Sequence, residues 1–532
     1  MSERIENNLL TKPYQIILKQ VGSLVSITGY IIAIPVVVGA IYGEGYSMAG
    51  FLLAAVIVWG TGSAIYRIFK CADDPHSNHS LVIAASGWLA VTLAGALPFL
   101  IIAWMTPEQA MNSFIPPGAG YNVSSLVYFR NPLHCFFESM SAYTTTGLSM
   151  AVHEPSVGKA ILFYRSLANW FGGAGFIIMV LAVFRQASGK GANLLFSAES
   201  TSKKLKPRII ETTRAIWKVY AIVTLFSFLY LVVGTLIILP HYGLSETIFD
   251  SFCHAMSGQS TGGFSTLDDS IATYHSYSME MLYLLPMIIG SFSMPFLFKV
   301  VMEGNLREIW HDIQTRALLI LFVVGSLVQT ALLMYGSILP DPFRIGVFQF
   351  ISGLSTTGWQ TTSFAQWDWL SVVFISCVAM YIGGASGGTV GGIKMIRALF
   401  LLKGLKWSVG RTFQSESTIK TVKFNYHNLH ETEIYEEFSK AAVIAILAAL
   451  LILFSAFITY ILTGTNFTFK DALVESASSQ GTVGLSSGIT DPSMNPLLEV
   501  IYIFQMWTGR LEIIPILALI RAIFRGTAPR KL

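Results

Sequence analysis

The chain has 532 residues, of which 53% are hydrophobic and only 12% are charged, and its formal net charge is +4. This composition excludes an ordinary soluble enzyme and is typical of a polytopic membrane protein. The length accommodates about ten transmembrane helices of about 20 residues each. The four cysteines are scattered without a CxxC pair, so neither a metal site nor a disulfide framework is predicted.

In chain order, the first predicted element is a helical hairpin made of two apolar runs, residues 21–42 and 47–66. The polar residues before it do not resemble a signal peptide, and the first apolar run is long enough to remain as a span. Because the hairpin contains no copy of the motif that organises the rest of the chain, we treat residues 1–75 as a leading unit.

Four units of one design are predicted next, each with a long apolar run, a short semi-polar run and a second long run. The long runs can span a membrane, whereas the short ones suit re-entrant loops that are buried by protein. The predicted fold is all-α and integral to the membrane, with about ten spanning helices and four re-entrant pore loops in pseudo-fourfold arrangement. The predicted repeats are residues 76–200, 201–310, 311–410 and 411–532.

Each short run ends in a four-residue Thr/Gly motif, numbered here motif 1 to motif 4. The copies are Thr144-Thr145-Thr146-Gly147, Ser260-Thr261-Gly262-Gly263, Ser355-Thr356-Thr357-Gly358 and Gly481-Thr482-Val483-Gly484. Every copy ends in Gly, has Thr two residues earlier, and is preceded by a serine six residues before the Gly. These outer serines are Ser141, Ser257, Ser352 and Ser478. The serine either ties the short helix to the motif or caps the buried helix end.

Helix-start signals precede the motifs and predict four short pore helices. Asn131 and Asp341 each stand before a proline, Glu246 follows Ser245 in a first turn, and Thr468 with Asp471 resembles a capping box. From these starts to the outer serines is about 15–20 Å of helix, or half a bilayer. Each short helix is therefore expected to descend partway and point its negative C-terminal end at the centre.

A row of backbone carbonyls can replace the hydration shell of a cation, and Gly lets the chain turn those carbonyls inward. Four such stretches around one axis would form a ring. The alternative is that Gly and Thr are small residues used for close helix packing. Because all four copies follow a capped half-length helix and lie between spans, the pattern favours a pore.

The distribution of basic residues predicts the orientation. Residues 185–218 contain eight basic and two acidic residues, and Arg521, Arg525, Arg530 and Lys531 lie near the C-terminus. The positive-inside rule places these regions in the cytosol, the motifs toward the outside and both termini inside. Residues 403–440 are expected to form a longer cytosolic connection that serves as a docking surface.

Three glycine pairs interrupt the second long run of the third unit. The pairs are Gly383 and Gly384, Gly387 and Gly388, and Gly391 and Gly392. A phosphate-cradling loop is disfavoured because no strand or nucleotide motif precedes the pairs. A small-residue packing face remains an alternative. Since each Gly costs about 1 kcal/mol in a helix relative to Ala, the pattern favours a broken helix that lines the pore.

Charged residues at membrane depth are the remaining candidates. Arg510 lies in the last span with Glu512 nearby, where a charge needs a cavity or a partner, and a structural Arg–Glu pair is the alternative. Three acids of the pore helices either concentrate cations or pair with serines and backbone amides. They are Glu138, Asp250 and Glu475.

The leading hairpin, the repeated span–loop–span pattern and the strings TTTGL, STGGFS, STTGW and TVGLS resemble the Trk/Ktr superfamily of potassium uptake proteins, in its TrkH-like branch. The resemblance implies a potassium-binding filter formed by the four motifs, with the ion at Gly147, Gly263, Gly358 and Gly484. It also implies a homodimer and a cytosolic nucleotide-binding regulatory subunit of the RCK type. The glycine pairs, with Lys394 and Arg510, would form an intramembrane gate below the filter.

The expected function is therefore potassium uptake across the plasma membrane (the inner membrane of a bacterial or archaeal cell). Potassium is the only expected cofactor, no organic cofactor or nucleic acid is expected, and no catalytic constellation indicates an enzyme. Two alternatives remain open: a symporter that couples potassium to protons or sodium, and the pore-like subunit of an ATP-driven potassium pump, which would require a P-type ATPase partner.

Overall fold

The structure is a computed structural model that describes residues 12–73, 75, 77–175, 209–336, 339–413, 422–424, 427–429 and 431–526. Three regions named above lie wholly or partly outside these ranges. They are most of the basic region 185–218, the basic residues Arg530 and Lys531, and part of the connection 403–440. The described chain is helical apart from one short β-hairpin, so the predicted all-α membrane architecture is confirmed.

The leading hairpin consists of α1 (Lys12–Ala33), α2 (Pro35–Tyr42) and α3 (Gly45–Ile68). Glycines bring α1 and α3 together, because a Cβ on Gly22 would lie 2.7 Å from the backbone of Tyr66. Glu44 precedes α3 and reaches the first pore unit, where its buried carboxylate accepts hydrogen bonds from the Lys159 and Ala160 amides. The hairpin is therefore attached to the pore as well as to the bilayer.

The first unit contains the predicted pore helix between two longer elements. Its elements are α4 (Ser77–Met105), α5 (Glu108–Asn112), a 3-10 turn (Ser125–Arg130), α6 (Pro132–Tyr143), a second 3-10 turn (Glu154–Val157) and α7 (Lys159–Gly173). Asn131 caps the pore helix α6 as predicted, accepting a hydrogen bond of 3.0 Å from the Leu133 amide. The predicted continuation of α7 toward residue 184 lies outside the described residues.

The second unit repeats this design but bends its second span. Its elements are α8 (Ile209–Ile238), the pore helix α9 (Leu244–Gln259), a 3-10 turn (Ser270–Tyr274), α10 (Tyr277–Gly290), α11 (Met294–Glu303) and α12 (Glu308–His311). A straight span over residues 281–301 was expected, whereas α10 and α11 meet at 102°. Ser293 caps α11 beside a proline in its first turn, which starts a new helix in a new direction.

The third unit contains the predicted interruption. Its elements are α13 (Ile313–Gly336), the pore helix α14 (Pro342–Leu354), a 3-10 turn (Phe364–Gln366), α15 (Trp369–Phe374), a π-helical turn (Ile375–Met380) and α16 (Met395–Thr412). The chain leaves the helix over residues 383–394, as the glycine pairs predict. The predicted cap at Asp341 is wrong, because this residue adopts φ 54° and its side chain makes no capping hydrogen bond.

The fourth unit starts with an antiparallel hairpin that the sequence did not predict. Its elements are β1 (Val422–Phe424), β2 (His427–Leu429), α17 (Glu431–Thr463), the pore helix α18 (Phe469–Gly481), α19 (Pro496–Leu511) and α20 (Ile513–Arg525). The capping box at Thr468 is present, with the Asp471 carboxylate accepting from the Thr468 amide at 2.9 Å. Another bend, of 113°, separates α19 from α20 at Glu512.

Six helical stretches of the described residues, with α1 and α2 counted as one, are long and apolar enough to cross a membrane, and the two bent pairs raise the number to eight. The two other spans in the predicted set of about ten correspond to α7, which runs out of the described ranges, and to the interrupted third-unit helix. The chain is thus a multi-pass membrane protein whose pore helices are all shorter than a span.

Candidate functional site

The four Thr/Gly motifs form a closed ring. Their final glycines all have positive φ, between 73° and 97°. A Cβ on any of them would overlap the backbone of the next motif, in the order 1, 2, 3, 4 and back to 1. The overlapping atoms include the carbonyl oxygens of the third motif residues, Thr146, Gly262, Thr357 and Val483. Four carbonyl oxygens are therefore directed at the neighbouring glycines around one axis, where a side chain would not fit.

Every motif has the same backbone turn. The amide of the third motif residue donates to the carbonyl of the outer serine at 2.8–3.0 Å in all four copies. The threonine at the second position has φ between 48° and 57°, a left-handed conformation that β-branched residues rarely adopt. Such backbone strain persists only where the surroundings enforce it and is concentrated at functional sites. The sequence repeat is thus also a conformational repeat.

The outer serines tie the pore helices to the motifs in at least two units. The Ser141 hydroxyl accepts from the Gly147 amide at 3.0 Å, and the Ser478 hydroxyl accepts from the Gly484 amide at 2.9 Å. In the third unit, Ser352 donates to the carbonyl of Trp359 at 2.7 Å. Of the two roles proposed from the sequence, tying the short helix to the motif is therefore the one seen in motifs 1 and 4.

A second repeated position, nine residues before each glycine, was only partly recognised from the sequence. It is occupied by Glu138, His254, Gln349 and Glu475, all fully buried. The first, second and fourth of these accept hydrogen bonds from the chain that leaves the motif, for example from the Met150 amide to Glu138 at 2.8 Å and from the Ser487 amide to Glu475 at 2.8 Å. A polar residue at constant spacing inside an apolar pore helix was the signal that could have identified them.

Asp250, on the second pore helix, is also buried and accepts from Thr266 at 2.7 Å. All three acids singled out from the sequence therefore pair with hydroxyls or amides, which selects one of the two alternatives proposed for them. They support the loops around the motifs rather than face an open cavity.

An open cavity of about 560 Å³ lies on one side of the ring, and all four motif glycines line it. Four carboxylate residues that the sequence analysis did not treat as site residues line its walls: Glu154, Asp268, Asp269 and Asp491. Burial raises the pKa of Glu154 to about 8, so this group is largely neutral at neutral pH. Burial also raises the pKa of Asp268, against which His153 lies at 3.7 Å. The cavity, which we call the vestibule, is thus walled by carboxylate residues, two of which have raised pKa values.

The interrupted segment 383–394 lies against the opposite side of the ring. Its Thr389 hydroxyl is 3.0 Å from the hydroxyl of Thr261 in motif 2, and its carbonyl accepts from Thr145 in motif 1 at 3.4 Å. Gly391 leaves no room for a side chain beside Thr482 of motif 4. The segment therefore contacts at least three of the motifs, at their second-position threonines.

Arg510 fixes this segment to the first unit. Its guanidinium donates to the carbonyl of Thr389, and also to the carbonyls of Gly172 and Gly173 at 2.7 and 3.1 Å. It also lies 3.3 Å from the Thr145 hydroxyl. The buried charge is thus held by backbone oxygens of the interrupted segment and of α7.

Lys394 and Glu512 form a separate contact. The Glu512 carboxylate lies 3.5 Å from the Lys394 ammonium group and forms a second ion pair with Arg397. The sequence left open a structural ion pair between Arg510 and Glu512. In the structure Glu512 pairs instead with Lys394 and Arg397, at the end of the interrupted segment. This contact joins the start of α16 to the bend between α19 and α20.

The chain was compared with known proteins. Residues 79–525 match the protein family described as TrkH, cation transport protein. An uncharacterised cation transporter of Methanocaldococcus jannaschii is 26% identical over 98% of both chains. The Trk system potassium uptake protein TrkH of Escherichia coli is 29% identical over 73% of this chain and 75% of its own.

The crystal structure of the potassium transporter TrkH from Vibrio parahaemolyticus superposes with a TM-score of 0.75 at 25% identity, covering 96% of this chain and 99% of the other. These relatives are named as transporters, in agreement with the expectation that the chain is not an enzyme. The family match covers most of the chain and includes all four motifs. The chain belongs to the TrkH family of cation transport proteins.

Proposed function

We propose that the chain is the pore-forming subunit of a potassium uptake system, with the four motifs as its ion filter. The observation that carries this proposal is the closed ring of carbonyl oxygens directed at glycines that admit no side chain. Such oxygens can replace the water around a dehydrated cation. The names of the E. coli and V. parahaemolyticus relatives, which specify potassium, support the choice of ion.

The acidic vestibule supplies the entry side of the proposed path. Carboxylates lining a concave, low-dielectric wall raise the local concentration of cations before they are dehydrated. The motifs share one backbone turn, and only their final glycine is common to all four. A TVGYG filter has a second glycine, so fewer ion sites in file and weaker selectivity are expected here.

The interrupted segment with Arg510 is the proposed gate, in its closed arrangement. Thr389 lies directly beneath motifs 1 and 2, and the fixed positive charge of Arg510 opposes a cation there. Lys394 contributes through its contact with Glu512 rather than by facing the path. Opening requires the segment to leave the axis, and a cytosolic partner needs only a few kcal/mol of differential binding to shift that balance.

The filter is tested by Gly147→Ser, measured as potassium and sodium flux in liposomes. A lower potassium-to-sodium ratio is expected, because the side chain would displace the Gly262 carbonyl. Gly118→Ser is the matched control, since Gly118 has a similar φ of 83° but no atom within 4 Å of its Cβ position. Unchanged ion ratios after substitution at all four motif glycines would contradict the filter.

The gate is tested by Arg510→Ala and by deletion within residues 383–392. Both changes are expected to raise potassium flux without altering the ion ratio, because they release the segment without replacing any motif residue. Arg521→Ala, at an exposed arginine of α20, is the control. Equal flux in the variants and the unmodified protein would leave Arg510 with a structural role only.

The remaining parts of the proposal concern orientation and partners. The basic regions favour a plasma-membrane protein with cytosolic termini and the vestibule outside. Impermeant thiol reagents should therefore label cysteines introduced beside Glu154 and Asp491, but not beside Lys204, which lies outside the described residues. The family resemblance supports a homodimer and an RCK-type regulatory subunit, with residues 403–440 as the candidate contact.

A coupled symporter is the second candidate function, and one observation favours it. His134 of the first pore helix contacts Glu499 of α19 at 2.9 Å, and both side chains are buried. Buried histidine and carboxylate side chains form the proton relays of pumps and transporters, and this pair joins a pore helix to the span that carries Arg510. A proton gradient that drives potassium uptake in liposomes, and fails to do so in Glu499→Gln, would support this candidate over passive conduction. A P-type pump subunit has no comparable support in the family match.

A further inference from the structure

An apolar crevice of about 390 Å³ lies between α8 and the bend that joins α10 to α11. One wall is formed by Ile222, Val223 and Phe226 near the middle of α8, and the other by Phe292, Phe296 and Val301. Every lining residue is apolar. Lys299 pairs with Glu308 at 3.0 Å, which holds α12 against α11 so that Ile309 closes one end.

The position of the crevice indicates what fills it. Its mouth lies at the middle of a spanning helix, between Phe226 (52% exposed) and Val301 (39% exposed), and therefore faces hydrocarbon. A polar ligand or an irregular peptide would find no hydrogen-bonding group on its walls. Beyond Ile309, the exposed Trp310 and Arg307 are the side chains that anchor at a lipid interface and attract an anionic phosphate.

The same bend holds the proposed gate. The carbonyl of Ser291 accepts from the Ala385 amide at 2.9 Å, and the Met294 amide donates to the carbonyl of Gly387 at 3.0 Å. Gly388 packs so closely on the Phe292 carbonyl that its Cβ would lie 2.8 Å away. Phe292 therefore has its backbone against the interrupted segment and its side chain in the crevice wall.

We propose that an acyl chain of an anionic phospholipid occupies this crevice and stabilises the closed arrangement of the gate. Phe292 joins the crevice wall to the interrupted segment, so an acyl chain that binds more tightly with the segment in this position shifts the population toward it. The inference rests on the gate proposed above, but the lipid site itself can be tested without it.

The site is tested on the full-length protein in liposomes that contain phosphatidylglycerol with a photoreactive acyl chain. Cross-links mapped by mass spectrometry should concentrate on the crevice walls of α8 and α11. Ile222→Ser and Val301→Ser, one on each wall, should cause loss of this labelling. Val233→Ser is the matched control, because Val233 is an exposed residue of the same helix that does not line the crevice. Replacing phosphatidylglycerol by the corresponding phosphatidylcholine probe should weaken the labelling.

Potassium flux provides the second measurement. Both wall variants should conduct faster than the unmodified protein, whereas Val233→Ser should not. Walls that stay unlabelled, or that cross-link to a second copy of the chain, would overturn the proposal. Labelled walls with unchanged flux, in a protein that Arg510→Ala does activate, would refute the link to the gate alone. If Arg510→Ala also leaves flux unchanged, the gate proposal itself fails while the lipid site stands.

Discussion

Motifs 1 and 4 differ from motifs 2 and 3 in what supports them. Behind motifs 1 and 4 a buried glutamate accepts hydrogen bonds from the outgoing chain, and the outer serine accepts from the motif glycine. Behind motif 2, His254 takes that place, 3.1 Å from the Ser265 hydroxyl. Behind motif 3, the amide of Gln349 has no hydrogen-bond partner among the described residues.

The difference shows that the ring is fourfold in its backbone but not in its side chains. All four turns have the same hydrogen bond and the same left-handed threonine. A single chain that contributes all four units can vary the support of each one separately, which a ring of identical subunits cannot do. Substitutions at the repeated position nine residues before each glycine should therefore change the stability of the protein by different amounts in the different units.

The largest effect is expected for Glu138→Gln. The glutamate forms a buried ion pair with Arg165 at 2.7 Å, with both side chains almost fully buried. Removing one partner of such a pair leaves a buried charge without its closest counter-ion and costs about 3–5 kcal/mol. Thermal unfolding in detergent should show a large loss of stability, and the double variant Glu138→Gln with Arg165→Leu should recover part of it. Full stability in the single variant would contradict the ion pair.

An intermediate effect is expected for Glu475→Gln. This carboxylate accepts from the Ser487 and Thr490 amides at 2.8 and 3.1 Å and from neighbouring hydroxyls. An amide nitrogen cannot accept from those donors, and each buried donor left unpaired costs about 1–3 kcal/mol. The same unfolding measurement, together with the potassium-to-sodium flux ratio, reports the change. Glu246→Gln, on an exposed first turn of another pore helix, should have little effect.

The smallest effect is expected for Gln349→Leu. Because the buried amide lacks a partner among the described residues, an apolar replacement of similar size should leave stability unchanged or raise it by up to about 1 kcal/mol. Gln349→Glu sharpens the comparison, since a buried unpaired carboxylate should destabilise the protein. A clear loss of stability in Gln349→Leu would show that the third unit has polar support equivalent to the others.

The sequence predicted the repeated elements better than it predicted the contacts between them. Asn131, and Thr468 with Asp471, cap their helices as their local patterns indicate, because capping depends on neighbouring residues. Asp341 fails because the chain enters that helix in a left-handed conformation, which the Asp-Pro pair does not specify. The interruption at residues 383–394 was predictable since glycine density is a local property.

The partners of Arg510 were not predictable for the opposite reason. Its guanidinium binds backbone carbonyls of Thr389, Gly172 and Gly173, and any residue type offers a carbonyl. The bends of 102° and 113° likewise depend on long-range packing. By contrast, the position nine residues before each glycine was visible in the sequence, and alignment of the four units on their glycines would have revealed it.

The closure of the ring has a consequence for biosynthesis. Its last link joins Gly484 to Thr146, two residues separated by most of the chain. Because motif 4 is the last to be synthesised, the ring cannot close until residues 481–484 have been added. A chain that stops after motif 3 would therefore lack the carbonyl oxygen of Val483, which lies against Gly358.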